Sequence, residues 1–423
     1  MLKKKLTLEK ILIKDVVFGE ETCCKDGVLT INQQEMLEVI SHDKLENIKI
    51  ELARPGESVR IVPVKDVIQP RVKKDKGTFF PGVLCPADGC GDGVTRVLDG
   101  CNVVTTGRII FYQEGIIDMN GPGADYTVYS KYCNVVMSAD PAEGVNSNEH
   151  EAVLRVQGLK AAHYLAEKTM QCEADSTEDY ELEDVDESLP RVAYVYLLLA
   201  QGLLHDNYLY GMHMQKMHPM FMHPNEFMDG AVVSGNCVTA CDKTTTYEHL
   251  NNPVIRNLYE KHGKEVNFVG VIASPISPVL ADKERCAMGV KNLAQLLELD
   301  GAIVSEEGGG NPESDLMMIC EGLENCGIKT VLMAHENSGK DGTAQGITIV
   351  SDKADAVITA GNTHVIVTLP PVEKILGSPE AIELLSGAPE HSLQEDGSIK
   401  TAMAVMMGSI SNIGTGNLGM KEY

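Results

Sequence analysis

Two cysteines in the segment Ser234–Lys243 are candidates for chemistry on the chain itself. The segment reads SGNCVTACDK, a Gly-Asn turn followed by Cys237 and Cys241. A thiolate can attack the carbonyl of the peptide bond before it when the turn is strained, and here that bond joins Asn236 to Cys237. β-Elimination then breaks the chain and leaves dehydroalanine, which tautomerises and hydrolyses to an amino-terminal pyruvoyl group. The two thiols also allow dithiol chemistry, although their spacing is not the CxxC of thioredoxin-like enzymes.

A glycine-rich stretch reads EEGGGNP and follows a predicted strand. Flexible glycines at the start of a helix leave backbone N–H groups free to hold a carboxylate or a phosphate. Pro312 suits an early helical position. Glu306, Gly309 and Asn311 are therefore predicted to bind substrate. A tight turn between a strand and a helix explains the same residues without any ligand, and this alternative stays open.

Two further groups of side chains were considered as metal ligands. A zinc or iron–sulfur site could use four cysteines, namely Cys85, Cys90, Cys101 and Cys133. Three histidines lie five residues apart, a spacing that fits neither a helix nor a strand, namely His213, His218 and His223. Packing explains the histidines better than a metal does. No metal site is predicted, and a cysteine-rich scaffold remains an alternative.

The composition excludes several classes of protein. The 423 residues carry 61 acidic and 36 basic side chains, a net charge of −25 that repels nucleic acids. The longest apolar stretch, Val192–Leu204, is too short for a bilayer, which needs about 20 residues. Twelve cysteines without an export signal indicate reduced thiols and a cytoplasmic protein. We expect no nucleic-acid partner and no membrane attachment.

The pattern along the chain predicts an α/β protein. Short apolar runs between Gly and Pro predict a β-rich amino-terminal domain over residues 1–150. A helix and an acidic linker follow over 151–188, because Glu173–Glu187 holds nine acids and no base. Residues 189–265 are predicted as a strand and loop segment that carries the cleavage site. Strands alternating with longer helices predict a Rossmann-like parallel α/β domain over 266–423.

Several longer runs resemble a known family. They include ELARPGESVRI, AQGLLHDNYLYG, MDGAVVSGNCVTACDKTTTYEHLNNPVI and EEGGGNPESDLMM. In these runs the chain is similar to component B of the glycine, sarcosine and betaine reductase complexes, over nearly its whole length. The resemblance implies a proprotein that is cut between Asn236 and Cys237, with Cys237 as the precursor of the pyruvoyl cofactor. Cys241 is a candidate for assisting as a nearby thiol, and a purely structural role is the open alternative. His205 is added to the predicted substrate-binding residues.

The resemblance implies an oxidoreductase that removes nitrogen reductively from a small amino acid or its N-methyl derivative. The ketone of the pyruvoyl group would polarise the substrate C–N bond, and a selenolate from a partner would displace the nitrogen. The implied partners are a selenoprotein subunit of component B, selenoprotein A, and the acyl-transfer subunits of component C, which release acetyl phosphate.

Two alternatives concern the substrate. The four cysteines Cys85, Cys90, Cys101 and Cys133 are unusual for a glycine-specific member, which leaves open a paralogue nearer D-proline reductase that acts on another amine. Betaine has a quaternary nitrogen that cannot react with a ketone. It would instead suit a cation–π cage, for which the aromatic residues near the segment are candidates: Tyr194, Tyr196, Tyr208, Tyr210, Phe221 and Phe227.

Overall fold

The computed structural model describes residues 3–201, 207–235, 244–385 and 391–415. The strands are β1 (Lys5–Leu12), β2 (Asp15–Phe18), β3 (Cys23–Lys25), β4 (Val28–Ile31), β5 (Leu45–Ala53), β6 (Val59–Val64), β7 (Asp66–Ile68), β8 (Arg71–Lys73), β9 (Gly93–Asp99), β10 (Cys101–Gly107), β11 (Gly115–Asp118), β12 (Cys133–Pro141), β13 (Ser176–Glu181), β14 (Arg191–Leu199), β15 (Asn207–Leu209), β16 (Met212–His213), β17 (Met220–Met222), β18 (Val232–Ser234), β19 (Asn267–Ile276), β20 (Gly301–Ser305), β21 (Lys329–Glu336), β22 (Val357–Asn362), β23 (Ile366–Leu369), β24 (Lys374–Gly377) and β25 (Ile399–Ala402). The α-helices are α1 (Gln33–Ile40), α2 (Gly121–Asp125), α3 (Ser147–Glu167), α4 (Pro224–Met228), α5 (Thr246–Leu250), α6 (Pro253–Lys261), α7 (Leu280–Leu296) and α8 (Asn311–Glu324).

A six-stranded sheet dominates the second half of the chain. Its order is β17-β19-β14-β20-β21-β22, and all neighbours except β17 and β19 run parallel. When the five parallel strands are numbered by their order in the sequence, their order across the sheet is 2-1-3-4-5. The central strands β14 and β19 are almost continuously apolar because both faces of the sheet are covered. The α/β class is confirmed, and the predicted helices and strands of this half lie where the pattern placed them.

The first half of the chain is built mainly from small sheets. One has the order β13-β1-β9-β8 and another β5-β12-β10-β7, with the long helix α3 packed against the second. Strand β24, from the carboxyl-terminal part, pairs in parallel with β6. This pairing joins two of the four predicted domains, and the division of the chain into those domains stays a prediction. Among the described residues, no helix has both the length and the apolar character that a membrane span requires.

Part of the acidic run is a strand, where a solvated linker was predicted. Residues Ser176–Glu181 form β13, which pairs antiparallel with β1 at the edge of a sheet. The lysines of the amino terminus compensate the charge, because Lys10 contacts Glu178 at 2.5 Å and Lys3 contacts Asp184 at 3.1 Å. The repulsion that predicted a linker is thus offset by lysines at the amino terminus of the chain.

A buried ion pair in the first half of the chain also contacts the second half. The Arg60 side chain is 1% exposed, and its Nε lies 2.6 Å from Oδ1 of Asp118. A second guanidinium nitrogen donates to Asp118 Oδ2 at 2.8 Å and to the Pro370 carbonyl at 3.0 Å. Removing one partner of such a pair leaves a buried charge uncompensated, which costs about 3–5 kcal/mol.

We therefore expect Arg60→Leu to lower the free energy of unfolding by about 3–5 kcal/mol, as measured by urea denaturation of the chain. The control is Lys261→Ala, which removes a surface pair at 2.6 Å from Glu265. Its expected effect is within about 0.5 kcal/mol. Equal losses in the two variants would contradict the assignment of Arg60 as a buried structural charge.

Candidate functional site

The candidate site lies at the carboxyl ends of the parallel strands. In sheets of this strand order, ligands bind where the order reverses, and that point falls between β14 and β20. The two strands run in register from Val192 beside Gly301 to Tyr196 beside Ser305. Strand β14 ends at Leu199, and Glu306 and Glu307 follow directly after β20. Two acidic residues thus emerge at the topological switch point.

Glu307 is the central group of the site. Its side chain is 1% exposed. The carboxylate Oε2 accepts hydrogen bonds from the Leu199 backbone N–H at 2.7 Å and from the Asn207 side-chain amide, and Oε1 accepts from the Thr244 backbone N–H at 3.1 Å. All three partners are N–H donors, so the carboxylate form fits this position.

These contacts place Glu307 beside the predicted cleavage segment. Thr244 is the first described residue after 236–243, and Ser234 is close to its other end. The Ser234 hydroxyl donates to the Thr244 carbonyl at 2.9 Å, which joins the two flanks. Asn236, Cys237 and Cys241 lie outside the described residues. Of their described flanks, however, Thr244 is hydrogen-bonded to Glu307, and Ser234 is hydrogen-bonded to Thr244.

Local structure holds these flanks firmly. The Thr246 hydroxyl accepts from the Ser234 N–H at 3.0 Å and donates to the Asp66 carboxylate at 2.6 Å. Thr245 caps helix α5 in a capping box with Glu248, which is buried. Because Asp66 belongs to β7 of a different sheet, the position of the segment depends on both halves of the chain.

Three further buried side chains extend the site behind Glu307. His249 Nε2 lies 3.0 Å from the Asn207 carbonyl oxygen Oδ1, and His249 Nδ1 lies 3.1 Å from the Tyr196 hydroxyl. His249 and Tyr196 are fully buried, and Asn207 is 2% exposed. These side chains form a series of hydrogen bonds that is closed to water. It runs from the Tyr196 phenol through the His249 imidazole and the Asn207 amide to the Glu307 carboxylate.

Burial raises the pKa of Glu307 to about 7, and the hydrogen bonds from Leu199, Thr244 and Asn207 oppose the rise. A carboxylic acid with this pKa exchanges its proton readily near neutral pH, which is the property required of a general acid or base. Glu307 can therefore take up or release a proton beside the segment that carries Cys237.

The raised pKa predicts a pH-dependent stability. The folded chain binds one more proton than the unfolded chain between pH 4.5, the ordinary value, and about pH 7. The stabilising contribution of Glu307 to the free energy of unfolding is fully present below pH 4.5. It falls by roughly 3 kcal/mol in total as the pH rises to about 7. We expect urea denaturation of an uncleaved Cys237→Ala chain to show this decline. The additional variant Glu307→Gln should remove it, and equal slopes in both chains would contradict the assignment.

Comparison with known proteins gives the family. The family model described as glycine/sarcosine/betaine reductase component B subunits matches residues 4–421. The chain belongs to this family. A relative in Acetoanaerobium sticklandii named glycine reductase complex component B subunits alpha and beta is 48% identical, over 99% of this chain and 100% of the relative. No solved structure matches.

Other members are also similar over their full length. The sarcosine reductase complex component B subunit alpha of Peptoclostridium acidaminophilum is 44% identical, and the betaine reductase complex component B subunit alpha of the same organism is 39% identical. Each match covers 99% of this chain and 100% of the relative. The D-proline reductase proprotein of A. sticklandii is only 22% identical and is matched over 54% of its length. The identities favour the component B family over the D-proline alternative.

The structure brings two of the predicted substrate-binding residues of this component B chain together. Glu306 is fully buried and its Oε1 accepts the His335 backbone N–H at 3.0 Å. Gly309 lies against the His335 ring, since an added Cβ would come within 2.2 Å of Cδ2. Asn311 begins α8 and reaches the Ser277 carbonyl at 3.4 Å. His205 lies outside the described residues. The substrate-binding roles of all four stay predictions.

The sequence analysis missed the residue with the richest contacts. Glu307 was read only as part of the glycine-rich motif, and Asn207 and His249 only as part of the family runs. A doubled acid after a buried strand was the available signal. Both Glu306 and Glu307 are buried, and the pattern does not tell which of them contacts Thr244.

The cysteine cluster considered for a metal is not formed. Cys90 packs in a core cluster with Phe227, whereas Cys101 and Cys133 are neighbours in register on β10 and β12 in another cluster. Cys85 and Cys90 line a separate cavity of about 260 Å³. Within the described parts of the chain, no group of three or more potential ligands could hold a metal ion. The metal-scaffold alternative loses its basis.

The aromatic side chains do not form one cage for a quaternary nitrogen. Tyr194 and Tyr196 are fully buried and stack on each other with ring centroids 5.0 Å apart. Phe227 packs against Tyr196, and the Tyr208 ring already has the Arg155 guanidinium 3.6 Å from its centre. Packing accounts for these four rings.

Proposed function

We propose that this component B chain is a proprotein that cleaves itself between Asn236 and Cys237. One observation carries the proposal: Glu307, a buried acid with a pKa near neutrality, accepts a hydrogen bond from Thr244 beside the segment that contains Cys237. The name of the relative in A. sticklandii gives independent support. That single chain is named as two subunits, alpha and beta, and this chain matches it end to end.

The cleavage chemistry balances without an external oxidant or reductant. The Cys237 sulfur attacks the Asn236 carbonyl, which exchanges the amide for a thioester and frees the amino group. Loss of the Cα proton then expels the thiocarboxylate on the amino-terminal fragment and leaves dehydroalanine. Water hydrolyses the tautomeric imine, so that the carboxyl-terminal fragment begins with a pyruvoyl group and ammonia is released.

Residues of this chain supply what these steps need. Proton transfer is required at the sulfur, at the freed nitrogen and at Cα. Glu307 is the buried acid beside the Thr244 flank, and the hydrogen bond between Ser234 and Thr244 holds the chain closed on either side of the reacting bond. The surrounding side chains exclude bulk water, since Ser234 and Thr244 are 2% and 6% exposed. These features fit a site at which a pyruvoyl group forms and acts.

In the mature protein a pyruvoyl group supplies an electrophilic ketone that can polarise the C–N bond of a bound amine. The chain contains no selenocysteine, so we propose that the nucleophile comes from a partner selenoprotein. Attack at the α-carbon would release the nitrogen and leave the two-carbon acid on selenium. Acetyl phosphate would then form with the acyl-transfer subunits of the complex, inorganic phosphate and a thiol, because reducing the C–Se bond to C–H takes two electrons and leaves a selenenyl sulfide.

We propose a small amino acid with a primary or secondary nitrogen as the substrate, because a quaternary nitrogen has no lone pair for a ketone. The identities with relatives named for glycine and sarcosine reductases, at 48% and 44%, exceed the 39% with the relative named for betaine reductase.

The order of the parallel strands β14 and β19–β22, with α7 and α8, supports the Rossmann-like assignment of the carboxyl-terminal part.

Mass spectrometry of the protein purified from its native host tests the proposal. We expect a fragment of residues 1–236 and a fragment of 237–423 whose first residue lacks sulfur and reacts with phenylhydrazine. Glycine, sarcosine and betaine should then be compared as substrates with the remaining components present. Active protein that consists of one intact chain with its Cys237 thiol would refute the proposal.

A further inference from the structure

The side-chain amide of Asn207 has one allowed orientation. Its nitrogen Nδ2 faces two acceptors, the Leu199 backbone carbonyl at 3.4 Å and Oε2 of Glu307. If the amide were flipped, its oxygen would face a carbonyl and a carboxylate, and no proton would lie between them. The amide oxygen Oδ1 of Asn207 must therefore face His249.

This orientation determines where the proton of His249 is. Nε2 of His249 lies 3.0 Å from the Asn207 oxygen, which can only accept, so Nε2 carries a hydrogen. Nδ1 lies 3.1 Å from the Tyr196 hydroxyl, which can donate to it. The ring is fully buried, and Nε2 is 4.0 Å from the Glu307 carboxylate, beyond hydrogen-bonding distance. Burial favours the neutral imidazole over the charged one.

The same contacts distinguish the two oxygens of Glu307. Oε2 already accepts from the Leu199 N–H and from the Asn207 amide, which uses both of its lone pairs. Oε1 accepts the Thr244 N–H and keeps one lone pair. The Thr244 side chain also lies near the Glu307 carboxylate and the Tyr196 phenol.

We infer that His249 is a positioning residue of the processing site. Held as the neutral imidazole with its hydrogen on Nε2, it fixes the Asn207 amide, so that Glu307 carries a proton only on Oε1, the oxygen that faces Thr244. His249 itself transfers no proton. The role in processing rests on the proposed function, whereas the tautomer of the ring does not.

The tautomer is tested first, by ¹⁵N NMR of the imidazoles in an uncleaved Cys237→Ala chain at neutral pH. The chain has 12 histidines, and the signals of His249 are assigned by their loss in His249→Gln. We expect the neutral form with a protonated Nε2 and an unprotonated Nδ1. A charged ring, or a neutral ring protonated on Nδ1, overturns the inference whether or not the wild-type chain cleaves itself.

The positioning role is tested by two replacements in the cleavable chain. In His249→Gln the amide can donate to Asn207 and accept from Tyr196, but it cannot transfer a proton. We expect cleavage within about tenfold of the wild-type rate. His249→Leu keeps the volume and loses both hydrogen bonds, and we expect cleavage slower by on the order of 100-fold, within the range for misplacing a general acid or base.

Each other outcome has a distinct meaning. Cleavage at the wild-type rate in His249→Leu shows that packing alone is required, and loss of cleavage in both variants shows that the imidazole transfers a proton. Either result overturns the positioning role. Wild-type chain that stays intact while the NMR tautomer is as expected refutes the proposed cleavage and leaves the tautomer standing.

Discussion

Replacing Cys237 by alanine is expected to leave the chain at its full 423 residues and to abolish reductase activity in the assembled complex. Without the sulfur, the Asn236 carbonyl has no neighbouring nucleophile, no thioester forms and no ketone is generated. Fragment formation is measured on a denaturing gel, and activity with added amine substrate and the partner components. Both readouts must fail together, because the ketone that acts in catalysis forms only through processing at this residue.

The matched control is Cys326→Ala, which removes an exposed thiol just after helix α8. It should cleave and react like the wild type. Cys237→Ser is informative as well, since a hydroxyl can form an ester in place of the thioester but is a poorer nucleophile and leaving group, and we expect slow, partial cleavage. Full activity in an intact Cys237→Ala chain would rule out the pyruvoyl mechanism.

The second large effect is expected for Glu307→Gln. The hydrogen bonds that the carboxylate accepts from Leu199, Asn207 and Thr244 all come from N–H groups, so the amide nitrogen of glutamine would face a donor and leave it without an acceptor. An unsatisfied buried donor costs about 1–3 kcal/mol. Glutamine also cannot exchange a proton, and loss of a general acid or base typically slows a reaction by about 10²–10⁴-fold. We expect mostly uncleaved chain when fragment formation is followed after cell-free synthesis.

Glu114→Gln separates lost chemistry from lost stability. Glu114 is 2% exposed and accepts the backbone N–H groups of Ile110, at 2.6 Å, and of Gln113, at 3.0 Å. It precedes β11, in the other half of the chain. Because Glu114 also lies 3.9 Å from the buried Lys65 ammonium, the replacement should destabilise the fold at least as much as Glu307→Gln yet leave cleavage close to normal. Equal loss of cleavage in the two variants would mean that Glu307 acts only through the fold.

The sequence identified the strands of the large sheet for a clear physical reason. Strands β14 and β19 are covered on both faces, so nearly every residue in them is apolar and the run is visible without a partner. Helices α7 and α8 were visible because their lengths and the turns between them fit crossovers between parallel strands. Local composition therefore sufficed for this part of the fold.

Strand β13 shows where local composition fails. Its residues carry negative charge and are largely exposed, a pattern typical of a linker. The strand forms because β1 offers it backbone hydrogen bonds and lysines such as Lys10. Strand β1 lies at the amino terminus, far from β13 in the sequence. A pairing between such distant segments depends on charges that no local window contains.

The sequence by itself determined the family, the position of the proposed reactive cysteine, Cys237, and the succession of strands and helices around it, because these depend on residue types in a fixed order. Only the tertiary structure decided that Glu307, next to the predicted Glu306, is the buried acid beside Thr244. Both acids are buried, so the choice depends on which of them faces Leu199 and Thr244 where β14 and β20 meet, and on the burial that raises the Glu307 pKa to about 7. Neighbours brought together by folding set both properties.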